Sequence, residues 1–376
     1  MRILILNWRD ISNPLSGGAE LVTMKHAVYW VKKGHTVTWL TGSYSGARTT
    51  ENIDGVTILR KWSGALLHIY VPFYLLLHRR SYDVIVDEVH GIPYFSPLFT
   101  KTPVIVFIHE IAGDIWDYMF SFPKNVIGKF LERWYFNLYK TCIFWTDAES
   151  TVGELVERGI NRSQCYAIPC PIPENSEHTR EVGQLNVVKE SEPTYVFVSR
   201  VVRMKGIEEV IKAFSFILKE QKNANLWIVG GGEETYLSQL SAMMHEYGVV
   251  KRTTFWGRVS EAKKYELMAK SHVLLHASVK EGWGLVVLES AKVGTPSVVY
   301  NVAGLRDVVK HNKTGVVISD NSPQKLAEEA INLYSDTRRY AQYAKNGKVW
   351  VQSLKWDTVT RQSLDILTKA ARTHTQ

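Results

Sequence analysis

Cysteine is scarce, with only Cys142, Cys165 and Cys170 in 376 residues. An odd number with no Cys-x-x-Cys pair excludes a disulfide framework and a cysteine zinc site. The twelve histidines show no paired metal-binding spacing and no Asp-x-Asp occurs, so no metal and no cofactor are expected. No run approaches the roughly 18 apolar residues that span a bilayer. The apolar start is broken at once by Asn7, Arg9 and Asp10, unlike a secretory leader. A cytoplasmic protein is expected, with association at the inner face of a membrane left open. Disorder is excluded too, since 45% of residues are hydrophobic and 22% charged. The net charge of +8 is spread, with 17 basic against 15 acidic residues up to position 170 and 28 against 22 beyond it. With no basic run, nucleic acid is not the expected partner.

What is present is an alternation of short apolar runs and helical periods. RILILN, HTVTWLTG, DGVTILRKW, YDVIVDEVH, TPVIVFIHE and TCIFWTDAES read as strands. GGAELVTMKHAVYWVKKG reads as a helix stopped by Gly34, and a second helix carries Ile127, Leu131, Trp134 and Leu138 on its apolar face. Pro169, Pro171 and Pro173 then open a stretch of little periodicity that closes at Pro193. After it the pattern restarts with TYVFVSRV, GIEEVIKAFSFILKE, NLWIVGGGEE, TTFWGRV, HVLLHAS, GLVVLESAKVG, PSVVYN and SPQKLAEEAINLYSD. Such alternation predicts an α/β protein of two doubly wound parallel-sheet domains. The expected boundaries are 1–170 for the first domain, 171–192 for a linker and 193–354 for the second. Ligands of such sheets bind outside the carboxyl ends of the strands, so chemistry is expected in loops facing across a cleft.

Three loops stand out. In SGGAE, Gly17 and Gly18 expose amides where a helix begins, which suits a phosphate, although a plain glycine turn is the more ordinary reading of this loop alone. In SRVVRMKG, Arg200 and Lys205 flank a helix start, where cations are unfavourable unless an anion joins them. In EGWGLVVLES, Gly282 and Gly284 expose amides between Glu281 and Glu289. Eight residues of helix would set these acids about 12 Å apart, too far for a metal pair or for the roughly 5 Å of a retaining glycosidase. That spacing suits the two ends of a nucleotide sugar, with sugar hydroxyls at Glu281, diphosphate at the glycines and cations, and ribose at Glu289.

Together these motifs resemble the retaining glycosyltransferases of family four. Glu281-x7-Glu289 with glycine-aromatic-glycine between, SGGAE, the Arg200-x4-Lys205-Gly206 loop and His109 closing a strand carry the likeness, which runs through both domains. The resemblance implies two Rossmann-like domains in the B-type glycosyltransferase fold, with a final helix, about 355–376, returning to the first domain. It implies that Arg200 and Lys205 neutralise the leaving diphosphate and that Gly17 and Gly18 present amides to it. Glu281 would hold the donor sugar near Gly282, Trp283, Gly284 and Leu285, and Glu289 the ribose. Arg258, Val259 and the turn at Gly232 would line the base. His109 would stabilise charge on the sugar. One departure is IPCPIP where the family has Pro-Asn-Gly-Val; Cys170 there is read as a small buried thiol.

A metal-independent hexosyltransferase follows from that likeness, using a UDP- or GDP-sugar and a glycan or lipid-linked acceptor in cell-surface polysaccharide or glycolipid assembly. A nucleotide-sugar-binding protein or an epimerase on the same fold is the alternative, and a nucleic-acid-modifying protein a remote one. Residues 70–83 and 122–140 combine aromatics with Arg79, Arg80, Lys124, Lys129, Arg133 and Lys140. They suit either packing on the sheet or a peripheral membrane contact.

Overall fold

A computed structural model describes residues 1–173 and 187–373. The chain divides into two units, Met1–Pro173 with Lys355–Gln376, and Glu174–Leu354. Most of the expected linker, 174–186, lies outside the described residues. Its last part is tied down, since the half-buried Lys189 donates from Nζ to Thr295 Oγ1 at 2.7 Å and to the Ser271 carbonyl at 2.5 Å.

The first unit is built on β1 (Arg2–Leu6), β2 (Thr36–Gly42), β3 (Thr50–Ile53), β4 (Val56–Lys61), β5 (Val84–Val89), β6 (Val104–Ile108), β7 (Ile143–Thr146) and β8 (Cys165–Ala167). Their order across the sheet is β3-β4-β2-β1-β5-β6-β7-β8. Only β3 runs antiparallel to its neighbour. Strands β5 and β6 are buried at every position, as parallel strands covered on both faces must be. On one face lie α1 (Gly18–Lys32) and the last helix, which pack together. Helices α2 (Ala65–Leu77), α4 (Lys124–Tyr135) and α5 (Glu149–Glu157) share the core of the other face, and the short α3 (Ile115–Met119) packs on α4. Arg60 on β4 grips Asp10 with two bonds of 2.8 Å in a fully buried pair, and also reaches Glu51 on β3.

Several expectations change here. The edge strand β3 has too few apolar residues to announce itself. TCIFWTDAES is a strand only to Thr146, and Glu149 already belongs to α5. The stripe expected to bury α4 faces outward instead. Ile127 and Trp134 are exposed, Leu131 and Leu138 are half-buried, and Gly128, Glu132 and Tyr135 turn inward. Glu132 can be buried because it accepts from the amides of Ala112 and Gly113 and from the Trp116 indole.

The second unit holds β9 (Thr194–Val198), β10 (Asn225–Val229), β11 (Thr253–Gly257), β12 (Val273–His276), β13 (Ser297–Val299) and β14 (Gly315–Val317). They are parallel in the order β11-β10-β9-β12-β13-β14, the doubly wound order of a dinucleotide-binding sheet. Around it are α6 (Ile207–Glu220), α7 (Glu234–Glu246), α8 (Glu261–Lys270), α9 (Leu285–Lys292), α10 (Leu305–Val308), α11 (Pro323–Ser335) and α12 (Thr337–Ser353). Helices α7, α8 and α12 and strand β14 were not anticipated. The final helix, α13 (Trp356–Thr373), belongs to the first unit. No helix among the described residues is long and apolar enough to cross a membrane.

Candidate active site

In the second sheet the winding reverses between β9 and β12, so the loops that leave these two strands diverge and open a crevice at their carboxyl ends. Two glycines fix how closely the loops meet. Gly206, at φ +72°, starts α6 so near the β12 loop that a Cβ would lie 1.9 Å from the Ala277 carbonyl oxygen. Gly304, at φ +77°, leaves only 2.3 Å to the Glu281 carbonyl oxygen. Only glycine satisfies both the left-handed backbone and the missing side chain.

Glu281 is the convergence point. Its Oε1 accepts from Lys205 Nζ at 2.6 Å, His276 Nε2 at 3.0 Å and Ser278 Oγ at 3.0 Å. Its Oε2 takes no hydrogen bond from the described residues. Burial would push this carboxyl up, but the Lys205 charge and the His276 hydrogen bond outweigh burial and hold it well below the usual range. A carboxylate accepts only, so His276 carries its proton on Nε2, and its buried Nδ1 is left without a partner. The outcome is an ionised carboxylate with one oxygen saturated and the other available to a hydroxyl.

Arg200, at the end of β9, is exposed and has no carboxylate partner among the described residues. Arg203 is a surface residue in a 3.6 Å contact with Glu208. Gly284 caps α9 in the left-handed region, and Gly282 is buried beside it. Trp283 is also buried, with its ring in the core, and Leu285 is half-buried. Gly232 bridges Val201 on the β9 loop, while Arg258 is exposed beside Gly231 and Val259 is half-buried. Glu289, on α9, pairs with Lys264 of α8 at 3.0 Å, yet burial dominates and raises its carboxyl. Lys264, His276 and Ser278 escaped sequence reasoning. A histidine closing a strand just ahead of Glu281 was a usable signal for His276, as it was for His109, whereas Lys264 lies on a helix whose pattern is too polar to be noticed.

In the first unit the carboxyl ends of β5, β6 and β7 bring together Glu88, His109 and Asp147. His109 lies between two carboxylates, with Nδ1 2.5 Å from Asp147 Oδ2 and Nε2 3.2 Å from Glu88 Oε1. Burial opposes its charge, but the two acids outweigh burial and lift its pKa to about 10. Glu88, against the same burial, is drawn down to about 2 by His109 and His90, and also accepts from Thr23 Oγ1 at 2.9 Å. Ligand atoms of Glu88, His90 and His109 lie within 4.8 Å of one another, a group able to hold a divalent ion in competition with the His109 proton. Sequence spacing had suggested no such group. Gly17 differs from expectation as well. Its amide donates to Glu20 Oε2 at 2.7 Å, with Arg9 holding the other oxygen at 3.0 Å, so it caps its own helix. The Gly18 amide has no partner among the described residues.

Sequence comparison matches residues 16–175 to the family described as Glycosyltransferase Family 4, and residues 181–350 to Glycosyl transferases group 1. An uncharacterized glycosyltransferase of Methanocaldococcus jannaschii is 26% identical across 97% of each chain. A GDP-mannose-dependent alpha-(1-6)-phosphatidylinositol monomannoside mannosyltransferase of Mycobacterium tuberculosis is 33% identical, but over 46% of this chain and 47% of that one. Among solved structures, HepE of Anabaena in complex with UDP and glucose superposes with a TM-score of 0.72 at 19% identity, covering 98% of this chain and 100% of that one.

Proposed function

The chain belongs to the glycosyltransferases, a Family 4 domain followed by a group 1 domain in the B-type fold, and from that premise we propose which transfer it performs. It moves a hexose-type sugar from a UDP- or GDP-sugar to a glycan or lipid-linked acceptor, with retention at the anomeric carbon and without a metal. The observation that carries this is Glu281, ionised among Lys205, His276 and Ser278 with Oε2 available.

In this reading Glu281 Oε2 accepts from a donor-sugar hydroxyl. Lys205 Nζ spends one donor on Glu281 and offers its others to the diphosphate, beside the unpaired Arg200. As the bond to the anomeric carbon breaks, negative charge grows on the leaving phosphate, and prearranged cations and α9 amides stabilise it without reorganising. Glu289, with Lys264, holds the ribose. Arg258, Val259 and Gly232 line the base through their backbone. The acceptor attacks from the face the phosphate leaves, and that phosphate takes its proton.

Calorimetric titration with UDP, GDP and ADP tests the donor site. One nucleotide should bind, and Arg200→Ala should weaken it by about tenfold or more, as loss of a charged hydrogen bond does. Absence of binding by all three would remove the reading.

A further inference from the structure

Most of the large hydrophobic residues exposed among the described residues lie in the first unit, and they concentrate on two helices. Helix α2 contains no charged residue. Leu67, Val71, Tyr74 and Leu75 bury one side of it, while Leu66, Ile69, Phe73 and Leu77 form an outward stripe in which Phe73 is 60% and Leu77 82% exposed. Helix α4 repeats the arrangement with Ile127, Phe130 and Trp134 outward, preceded by Phe122 at 82% exposure. Both helices cover the same core on the same face of the sheet. The short turn Ser96–Leu98, with Leu98 exposed, packs on α2 and on the turn Phe136–Tyr139 that continues α4.

Among the described residues, the charges bordering this face that lack an ion-pair partner have one sign. Arg79 and Arg80 after α2, and Lys124 and Arg133 on α4, are exposed without a carboxylate partner among the described residues. The nearby acids are occupied, Asp114 and Asp117 by Lys129 and Glu132 by backbone amides turned inward. An apolar stripe rimmed by unpaired cations is the composition of a helix lying in a lipid interface. Contiguous exposed apolar surface of this kind marks an interaction site. A second copy fits less well, because a two-fold contact would set like cations against one another.

We propose that the α2–α4 face of the first unit seats on an anionic lipid bilayer, which deepens the acceptor reading above and rests on it by naming a membrane-borne acceptor. Cosedimentation with vesicles of phosphatidylcholine, alone or mixed with phosphatidylglycerol, tests it. The wild-type chain should bind only the mixed vesicles and should be released by salt. The Lys124→Glu/Arg133→Glu variant should lose affinity by about tenfold or more, at roughly fivefold per cation. Phe122→Ser/Phe130→Ser should lose at least as much through buried apolar area, about tenfold or more. Both variants should keep wild-type nucleotide release from donor sugar without vesicles, which shows that they are folded. Wild-type protein that stays in solution with both vesicle types overturns the proposal, as does undiminished binding by the phenylalanine variant. Self-association in sedimentation velocity that the phenylalanine variant abolishes assigns the face to a second copy and also overturns it. Failure of the transferase reading appears separately, as no nucleotide release in the absence of vesicles.

Discussion

Lys205 and Glu281 depend on each other. Removing the cation leaves a half-buried carboxylate with only His276 and Ser278 as donors and deprives the leaving phosphate of a charge. Lys205→Met should lower kcat/KM about 10²- to 10³-fold, the usual cost of one electrostatic donor, measured as nucleotide release; an unchanged rate would place the lysine outside the chemistry. The histidines of the first unit predict opposite pH effects. An unfolded histidine titrates near 6.5. Protonated His109 therefore contributes stability that is fully present below that value and is lost as pH rises through about 10. His26, buried and bonded to Ser363, is held neutral down to about 3. Its contribution is complete above about 6.5 and lost as pH falls toward 3. Urea midpoints should fall more steeply above neutral pH for wild type than for His109→Gln. Parallel curves would contradict the double pairing of His109. Residue types at loop positions were legible in sequence, but the partners of those residues were not. Lys264 reaches Glu289, and Asp147 reaches His109, only through the packing of elements distant in sequence.

At the scale of elements, loop geometry is set by glycine. Gly206→Ala would force a Cβ to within 1.9 Å of the Ala277 carbonyl oxygen from a left-handed backbone. Strain of that kind costs about 1–3 kcal/mol and pushes the β9 and β12 loops apart. Melting temperature and nucleotide affinity should therefore fall together; a loss of neither would sink the argument. The alternating pattern revealed the buried parallel strands because burial on both faces demands continuous apolar runs. It concealed β3, whose residues are polar, and helices such as α8 and α12, whose exposed faces dilute their period. It also misdirected α4, since apolar periodicity reveals a helix face without saying whether protein or lipid covers it.

At the scale of the molecule, α13 joins a unit whose other residues lie nearly two hundred positions earlier. Ser363 Oγ accepts from Trp30 Nε1 at 3.1 Å and from His26 Nδ1 at 2.8 Å, and the Trp356 indole donates to the Ile172 carbonyl at 3.0 Å. Deleting 355–376 should uncover Trp30 and His26, so the first unit should become sensitive to limited proteolysis while the second keeps its resistance; equal resistance would contradict this packing. Local sequence pattern carries no trace of so distant a contact, and only the likeness to a family indicated it. The account's central claim is that Glu281 holds the donor sugar in a transfer reaction. The direct measurement is nucleotide release from UDP-, GDP- and ADP-sugars by the wild-type chain and by Glu281→Gln, which keeps the shape and removes the charge. The account predicts slow release from one donor that falls about a hundredfold or more in the variant. Equal release by both proteins, or none from any donor, would contradict it.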